Sequence, residues 1–413
     1  MDKQSLDVST DLQPKCGSTN FRTVFLATFV LALTGQSALA IPAFARRYNV
    51  PCHFCHDGFP KLSVIGEQFK ERGLRLERER RDLRQWLKSV PVILRSLVNE
   101  TIVEDRAAST TGFFKVVSAG NLNSRVSYWV DRFWVATEDG FIEDGGKTDN
   151  AWVRFELVSE ELYVRGGRME LDLPFTQART PNVFAYDIYF ANTGFESDNI
   201  GSYQEGIEVG GFLDDVTRWS LALVRGRNSG AAESLTDQAD DFDGNLFGRF
   251  ARRFGENRAG AFVYVGRNTL ARHNPQPGLD GPPVLVWKDD LFRFGADGSL
   301  VLERLNLYGV VMHGRNDNSI ADARHPEGTE ETLTFTGGFL QGDYMIRDQL
   351  TFSARLNVVS RPPGTAARAR ESLVSFFPGL KIWLHPRVRL TFELGFQNQG
   401  RPTVGAVQAE VAF

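Results

Sequence analysis

The stretch Val388-Arg389-Leu390-Thr391-Phe392-Glu393-Leu394-Gly395-Phe396-Gln397 decides how the chain reads. Val388, Leu390, Phe392, Leu394 and Phe396 fall on every second position, and Arg389, Thr391, Glu393 and Gln397 lie between them. A period of two puts the first set on one face of a β-strand and the second set on the other. Leu350, Phe352, Ala354, Leu356 and Val358 repeat this against Thr351, Ser353, Arg355 and Asn357. From Val90 onward such segments recur, each roughly ten residues long and bounded by Gly, Asn and Asp. Alternation alone admits two architectures. In a soluble sandwich the apolar face meets a second sheet; in a closed barrel it meets lipid, and the charged face lines a wet lumen.

Loop lengths separate the two. Sixteen candidate strands are centred near Leu97, Val116, Tyr128, Phe155, Val164, Val209, Leu221, Phe250, Val263, Phe294, Val310, Phe339, Ala354, Ile382, Phe392 and Val407. Short joints follow the even strands: Gly120-Asn121, Ser159-Glu160, Asp214-Asp215, Gly255-Glu256, Arg347-Asp348 and His385-Pro386. Long connections follow the odd ones, notably Leu171 to Tyr203, Asn228 to Asp241, Thr269 to Lys288 and Arg315 to Glu331. Transmembrane barrels alternate long extracellular loops with tight periplasmic turns, whereas a sandwich has no reason to keep that parity. The expected fold is therefore all-β, a 16-stranded transmembrane outer-membrane β-barrel over residues 90–413, with both ends in the periplasm. The closing run Ala406-Val407-Gln408-Ala409-Glu410-Val411-Ala412-Phe413 ends on an aromatic, resembling the signal presented to the barrel-assembly machinery. Trp129, Trp134, Trp152, Trp219 and Trp383 near segment ends are candidates for interfacial girdles or for ordinary strand packing.

Targeting agrees with export. Phe21-Arg22 leads into the apolar run Val24 to Leu33, and Ala38-Leu39-Ala40 supplies a small-x-small cleavage pattern, so residues 1–40 read as a signal peptide with the mature chain starting at Ile41. That run is too short to span a bilayer as a helix. The leader before Arg22 is long, as if translation began downstream, and Cys16 belongs to it. A net charge of −4 gives no reason to invoke nucleic acid, and 3 Cys in 413 residues give no disulfide framework.

Residues 41–89 carry the chemistry. Pro51-Cys52-His53-Phe54-Cys55-His56 holds a Cys-x-x-Cys-His motif, the attachment site of a c-type haem. Two thiols three positions apart each bond one vinyl group, and the next residue holds an imidazole under the iron. Cys52 and Cys55 are thus the candidate thioether anchors and His56 the candidate iron ligand, for one covalent haem c. A redox dithiol, a short disulfide and half of a zinc site are the alternatives, and each lacks a supporting partner in the sequence. His53, between the thiols, reads as an exposed histidine. Beyond it, Glu67 to Lys88 is dense in Arg and Glu with scattered Phe69, Leu74, Leu76, Leu83, Trp86 and Leu87, as in a short polar helix or plug. It reads either as a tether seating the haem in a polar pore or as a solvated linker.

The flanks carry a resemblance. Pro42-Ala43-Phe44-Ala45-Arg46, Tyr48-Asn49, the Cys-x-x-Cys-His motif and Phe69-Lys70 together resemble the fused outer-membrane cytochrome–porins of iron-oxidising bacteria, over about thirty residues from Pro42 to Lys70. The resemblance implies an electron conduit from an extracellular donor, ferrous iron, through one haem c to a periplasmic cytochrome or other electron acceptor. It also implies iron(II) oxidation and residence in outer-membrane lipid. A barrel of this size is wide enough for an aqueous channel, so a diffusion porin whose haem peptide senses or supports structure is the competing reading.

Other residues fit less closely. Met169, Met312, Met345, His273, His313, His325 and His385 are candidates for a sixth iron ligand, and no spacing selects among them. Asp237-Gln238-Ala239-Asp240-Asp241-Phe242-Asp243 clusters carboxylates suited to a hard cation or to a solvated loop, without a defined ligand spacing. Arg355, Arg389 and Glu393 are expected to face the lumen, hold the haem peptide and tune its potential. No nucleophile triad, phosphate loop or zinc helix is present, which argues against a hydrolase or transferase.

Overall fold

The computed structural model describes Phe44, Tyr48, Val50, Phe54, Cys55 and His56 individually, then residues 61–76 and 91–412 apart from 105–107, 139–140, 144–147, 159–160, 177–178, 191–199, 202, 226–243, 273–284, 318–331, 361–371, 386 and 399–402. In chain order a helix α1 (Val64–Glu71) precedes the strands β1 (Val92–Val103), β2 (Ser109–Asn121), β3 (Val126–Glu138), β4 (Phe141–Glu143), β5 (Thr148–Val158), β6 (Leu162–Glu170), β7 (Tyr203–Phe212), β8 (Thr217–Val224), β9 (Asn245–Phe254), β10 (Asn257–Arg272), β11 (Leu285–Leu302), β12 (Leu305–Asn316), β13 (Leu333–Arg347), β14 (Leu350–Ser360), β15 (Leu373–His385), β16 (Val388–Gln397) and β17 (Val404–Ala412).

Every long strand pairs antiparallel with its neighbours in sequence, and β1 pairs with both β2 and β17, so the sheet closes on itself. The three-residue β4 pairs only with the end of β3, while β3 continues onto β5. The ring is therefore sixteen strands, and all sixteen positions expected from the sequence fall within them. Closure leaves no unpaired edge among the sixteen ring strands, which a strand array in hydrocarbon requires.

Burial is inverted relative to a soluble protein. On β16, Arg389, Thr391 and Glu393 are 3%, 1% and 4% exposed, while Phe392, Leu394 and Phe396 are 38%, 50% and 45% exposed. The same alternation recurs around the ring, with Leu221, Leu223, Phe250, Phe294, Val311, Leu340, Phe352 and Leu356 all presented outward. Water would not tolerate an apolar surface of that extent, and lipid demands it.

Tight turns, the start of β1 and the end of β17 fall at one rim. Side chains build several of them: Asn123 accepts from the Arg125 and Val126 amides at 2.8 and 2.9 Å, and Asp214 accepts from Val216 and Thr217. Glu303 adopts a positive φ of 47° in the two-residue turn from β11 to β12, as hairpins of that length require. Long connections share the other rim, as expected. One of them is shorter than Thr269 to Lys288, because β10 runs on to Arg272 and β11 begins at Leu285.

One sequence expectation needs correction, and one open alternative is resolved for two residues. The connection from Leu171 toward Tyr203, expected among the long extracellular loops, has much of its described part inside the barrel: Leu171, Leu173, Phe175, Tyr186, Ile188, Tyr189 and Ile200 are buried against Phe247, Tyr264, Tyr308, Val310, Phe335 and Phe339. A short 3-10 turn (Asp187–Phe190) lies in this infolded segment. Among the tryptophans, Trp134 points outward, but Trp152 is buried and packs with Phe69 and Leu74 while Trp129 lies against the same cluster. Those two serve the lumen rather than an interfacial girdle.

Candidate functional site

The lumen holds α1, and Phe54, Cys55 and His56, which precede it, are folded onto that helix. Ser63 caps the helix by accepting from the Gly66 amide at 3.2 Å, and its hydroxyl donates to the Phe54 carbonyl at 3.0 Å. The Ser63 amide donates to the Cys55 carbonyl at 3.0 Å, and His56 bridges to Leu62. Gly66 is obligatory here: a Cβ would lie 1.9 Å from the Cys55 carbonyl oxygen. The helix ends at Gly73 and Leu74, both with positive φ, where the Leu74 amide returns to the Phe69 carbonyl at 2.8 Å.

One face of this segment is apolar. Phe69 and Leu74 bury against Ala119, Trp152 and Met169 of the wall, and Phe44 and Tyr48 pack edge-on to Phe69 with centroids 5.0 and 5.7 Å away. The other face is held by charge. Glu67 takes Arg258 at 2.8 Å and Arg253 at 3.2 Å, Glu71 takes Arg253 at 2.7 Å, Lys70 meets Glu170 at 3.3 Å, and Lys61 meets Asp343 at 3.4 Å. Arg154 donates to the Glu71 carbonyl at 2.6 Å, and Asn121 to that of Leu74 at 2.9 Å. These partners come from strands all round the ring, so the segment is seated in the lumen. Desolvation offsets much of the attraction in each pair, and their effect is to fix one position rather than to add large stability.

Cys55 and His56 line a cavity of about 330 Å³ between this segment, the wall and the infolded loop. Phe44, Tyr48, Leu62 and Phe69 form part of its apolar lining, and Lys70, Arg165, Arg179, Arg218, Arg249 and Arg258 are among its cations. His56 Nδ1 lies 3.3 Å from the Lys61 carbonyl oxygen, and with Nδ1 as donor the ring carries its lone pair on Nε2. Cys52 and His53 lie outside the described residues.

Of the sixth-ligand candidates, none of the described ones lines this cavity. Met169 sits in the cluster with Phe69, Met312 is buried among the lumen aromatics, and His313 lies tilted against the outward-facing Phe294 with centroids 5.4 Å apart. His385 accepts from the Arg387 amide at 3.3 Å near the tight-turn rim. His273, His325 and the Asp237 to Asp243 cluster lie outside the described residues. Among the described residues, no group of three or more His, Cys, Asp or Glu side chains is arranged to hold a metal.

The lumen charges named from sequence do face inward, but they do not hold the haem-motif segment. Glu393 accepts from the Val183 and Phe184 amides at 2.7 and 2.9 Å, and Arg355 donates to the Phe184 carbonyl at 2.9 Å and to Glu393 at 3.2 Å. They anchor the infolded loop, while Arg389 pairs with Glu410 on the wall. The loop was the residue set missed in the sequence. Leu171-Asp172-Leu173-Pro174-Phe175 and Phe184-Ala185-Tyr186-Asp187-Ile188-Tyr189-Phe190 are too apolar for a solvated loop, and that was the signal.

These features define a porin-type barrel with an occupied lumen. No protein-family model and no curated protein matches the chain. Solved structures do match its fold. In-vitro folded OmpT, an outer membrane protein of Vibrio cholerae, aligns at TM-score 0.56 and 11% identity over 78% of this chain and 99% of its own. OmpF of Salmonella typhi aligns at TM-score 0.55 and 12% identity over 78% and 97%. An anion-selective porin from Comamonas acidovorans aligns at 0.53 and 12% over 78% and 99%. At such identities the likeness is one of fold.

Proposed function

We propose that this chain is an outer-membrane cytochrome–porin fusion: a porin-type barrel carrying one haem c on Cys52 and Cys55 in its lumen, with His56 as iron ligand. It passes electrons from an extracellular donor such as ferrous iron to a periplasmic acceptor. The observation that carries the reading is the placement of Cys55 and His56 on a cavity inside a transmembrane ring.

The residues present fit the cofactor. The Lys61 carbonyl fixes the His56 ring through Nδ1, the arrangement that orients an imidazole for iron and raises its basicity. Gly66 lets the helix backbone approach the motif, and Phe44, Tyr48, Leu62 and Phe69 supply apolar surface beside it. When bound, the haem supplies a one-electron centre, oxidised by the acceptor and reduced by the donor. The chain's own part is placement. The ion pairs of Lys61, Glu67, Lys70 and Glu71 hold the motif within the membrane's thickness, and Glu393 and Arg355 pin the loop that narrows the lumen. Electron tunnelling weakens steeply with distance, so a single centre can serve only from such an interior position.

A diffusion porin is the second reading, and the structural comparisons back it more directly, because the structures that share the fold include an anion-selective porin and an outer membrane channel. The two part experimentally. Purified protein in liposomes, with ferrous iron outside and a reducible dye inside, is expected to show a haem-staining band, haem reduction on adding iron, and slow leakage of small solutes. Rapid sugar efflux from a protein without covalent haem establishes the porin. Haem reduced only by other donors keeps the conduit and discards iron.

A further inference from the structure

We propose that Lys70 and Arg179, backed by Arg165, form the carboxylate-binding pole of the cavity and take a propionate of the haem; this rests on the haem reading above. The cavity is lined by ten Lys and Arg side chains against six carboxylates. Along the wall Arg249 is bidentate to Asp297, Arg218 pairs with Asp172 at 2.9 Å and Arg165 with Glu208 at 2.7 Å, while Arg95 and Arg389 share Glu410 and Arg253 and Arg258 share Glu67. Lys70 and Arg179 also share one. Glu170 Oε2 lies 3.3 Å from Lys70 Nζ and 2.8 Å from Arg179 Nε, so this corner holds two cations on a single carboxylate.

The excess is felt at Lys70, whose pKa burial and the nearby Arg179 lower to about 8 against the pull of Glu170, with Arg165 adding to the lowering. A second carboxylate would neutralise the corner, and a charge-assisted bond to it would be among the stronger kinds. Arg179 Nη1 and Nη2 each donate once, to the carbonyls of Leu173 and Leu171, which ties the pole to the infolded loop and leaves each nitrogen a second N–H for a carboxylate. Lys70 projects from α1, the helix folded onto Cys55. Lys70 and the described motif residues therefore belong to one segment, and Arg179 and Arg165 meet Lys70 on the same cavity.

Covalent attachment makes the test clean, because loss of a propionate contact does not release the haem. Lys70→Met and Arg179→Met are compared with wild type and Lys70→Arg in the full-length protein, by haem staining and by potentiometric titration across pH 5 to 8. Wild type and Lys70→Arg are expected to give a pH-independent potential. The Met variants should keep the haem stain, lower the potential, and acquire a pH-dependent phase as the released propionate titrates. A uniform offset with no new phase, or no change, overturns the propionate assignment while leaving the haem reading intact. A wild-type potential that moves with added acetate assigns the pole to a free anion and also overturns it. Absence of covalent haem in the wild type is instead the failure of the haem reading itself.

Discussion

Glu393 anchors the infolded loop inside the ring, and removing it should free that loop and open the lumen. Its carboxylate accepts two backbone amides, Val183 at 2.7 Å and Phe184 at 2.9 Å, and faces Arg355 at 3.2 Å, all buried. Glu393→Ala strands both amides and leaves the Arg355 guanidinium without its counter-charge. Breaking a buried pair by deleting one partner costs roughly 3–5 kcal/mol, and each orphaned buried donor adds about 1–3 kcal/mol where water cannot reach it. Opening lets water in, so the lower figure is the safer one. About 3 kcal/mol shifts the population of loop-released barrels on the order of a hundredfold, since 1.4 kcal/mol is tenfold. Planar-bilayer recording reads this directly: wild type should conduct rarely and in brief events, and Glu393→Ala should hold a long-lived open level. Glu393→Gln keeps an oxygen for the two amides and should fall between them. A Glu393→Ala barrel with wild-type conductance and unchanged heat-modifiable migration would refute the assignment of this loop as the constriction.

Gly66→Val drives a side chain into the Cys55 carbonyl; overpacking of this kind costs about 1–3 kcal/mol, and haem staining should drop sharply while the barrel still migrates as folded on unheated gels. Arg253→Ala removes the shared partner of Glu67 and Glu71, so limited proteolysis should cut between His56 and Arg75 faster than in wild type. Lys70 is held to about 8, below its value in an unfolded chain. The folded state therefore binds fewer protons between pH 8 and about 10.4, and stability should rise with pH across that window by at most about 1.4 kcal/mol per unit; the cost of burying the charge is fully present below pH 8, and thermal melts of Lys70→Met should lack the rise.

The barrel was legible because its rule is local. Leu390, Phe392 and Leu394 alternate with Arg389, Thr391 and Glu393 whatever lies across the sheet, and an Asn or Asp at a tight turn, such as Asn123 or Asp214, bonds its own backbone. Partners across the lumen obey no local rule. Glu393 and Val183 are brought together only by closure of the ring, so the sequence could show that Glu393 points inward but not what it grips. Trp152 and Trp134 look equivalent as strand aromatics, and their opposite faces follow from register. Cys55 and His56 were legible from spacing, whereas the Lys70, Glu170 and Arg179 corner joins three elements and leaves no mark in any one of them.

The meeting of β1 with β17 has a consequence for how the ring is completed. Glu410, 1% exposed on the last strand, receives Arg95 from the first strand on one side and Arg389 from β16 on the other. Sliding the last strand by one residue would turn that carboxylate out into hydrocarbon and strand two arginines inside. The final zipping step therefore carries its own error check: the correct alignment sets the one carboxylate between both arginines, and a misaligned strand loses both contacts and has every reason to let go and try again.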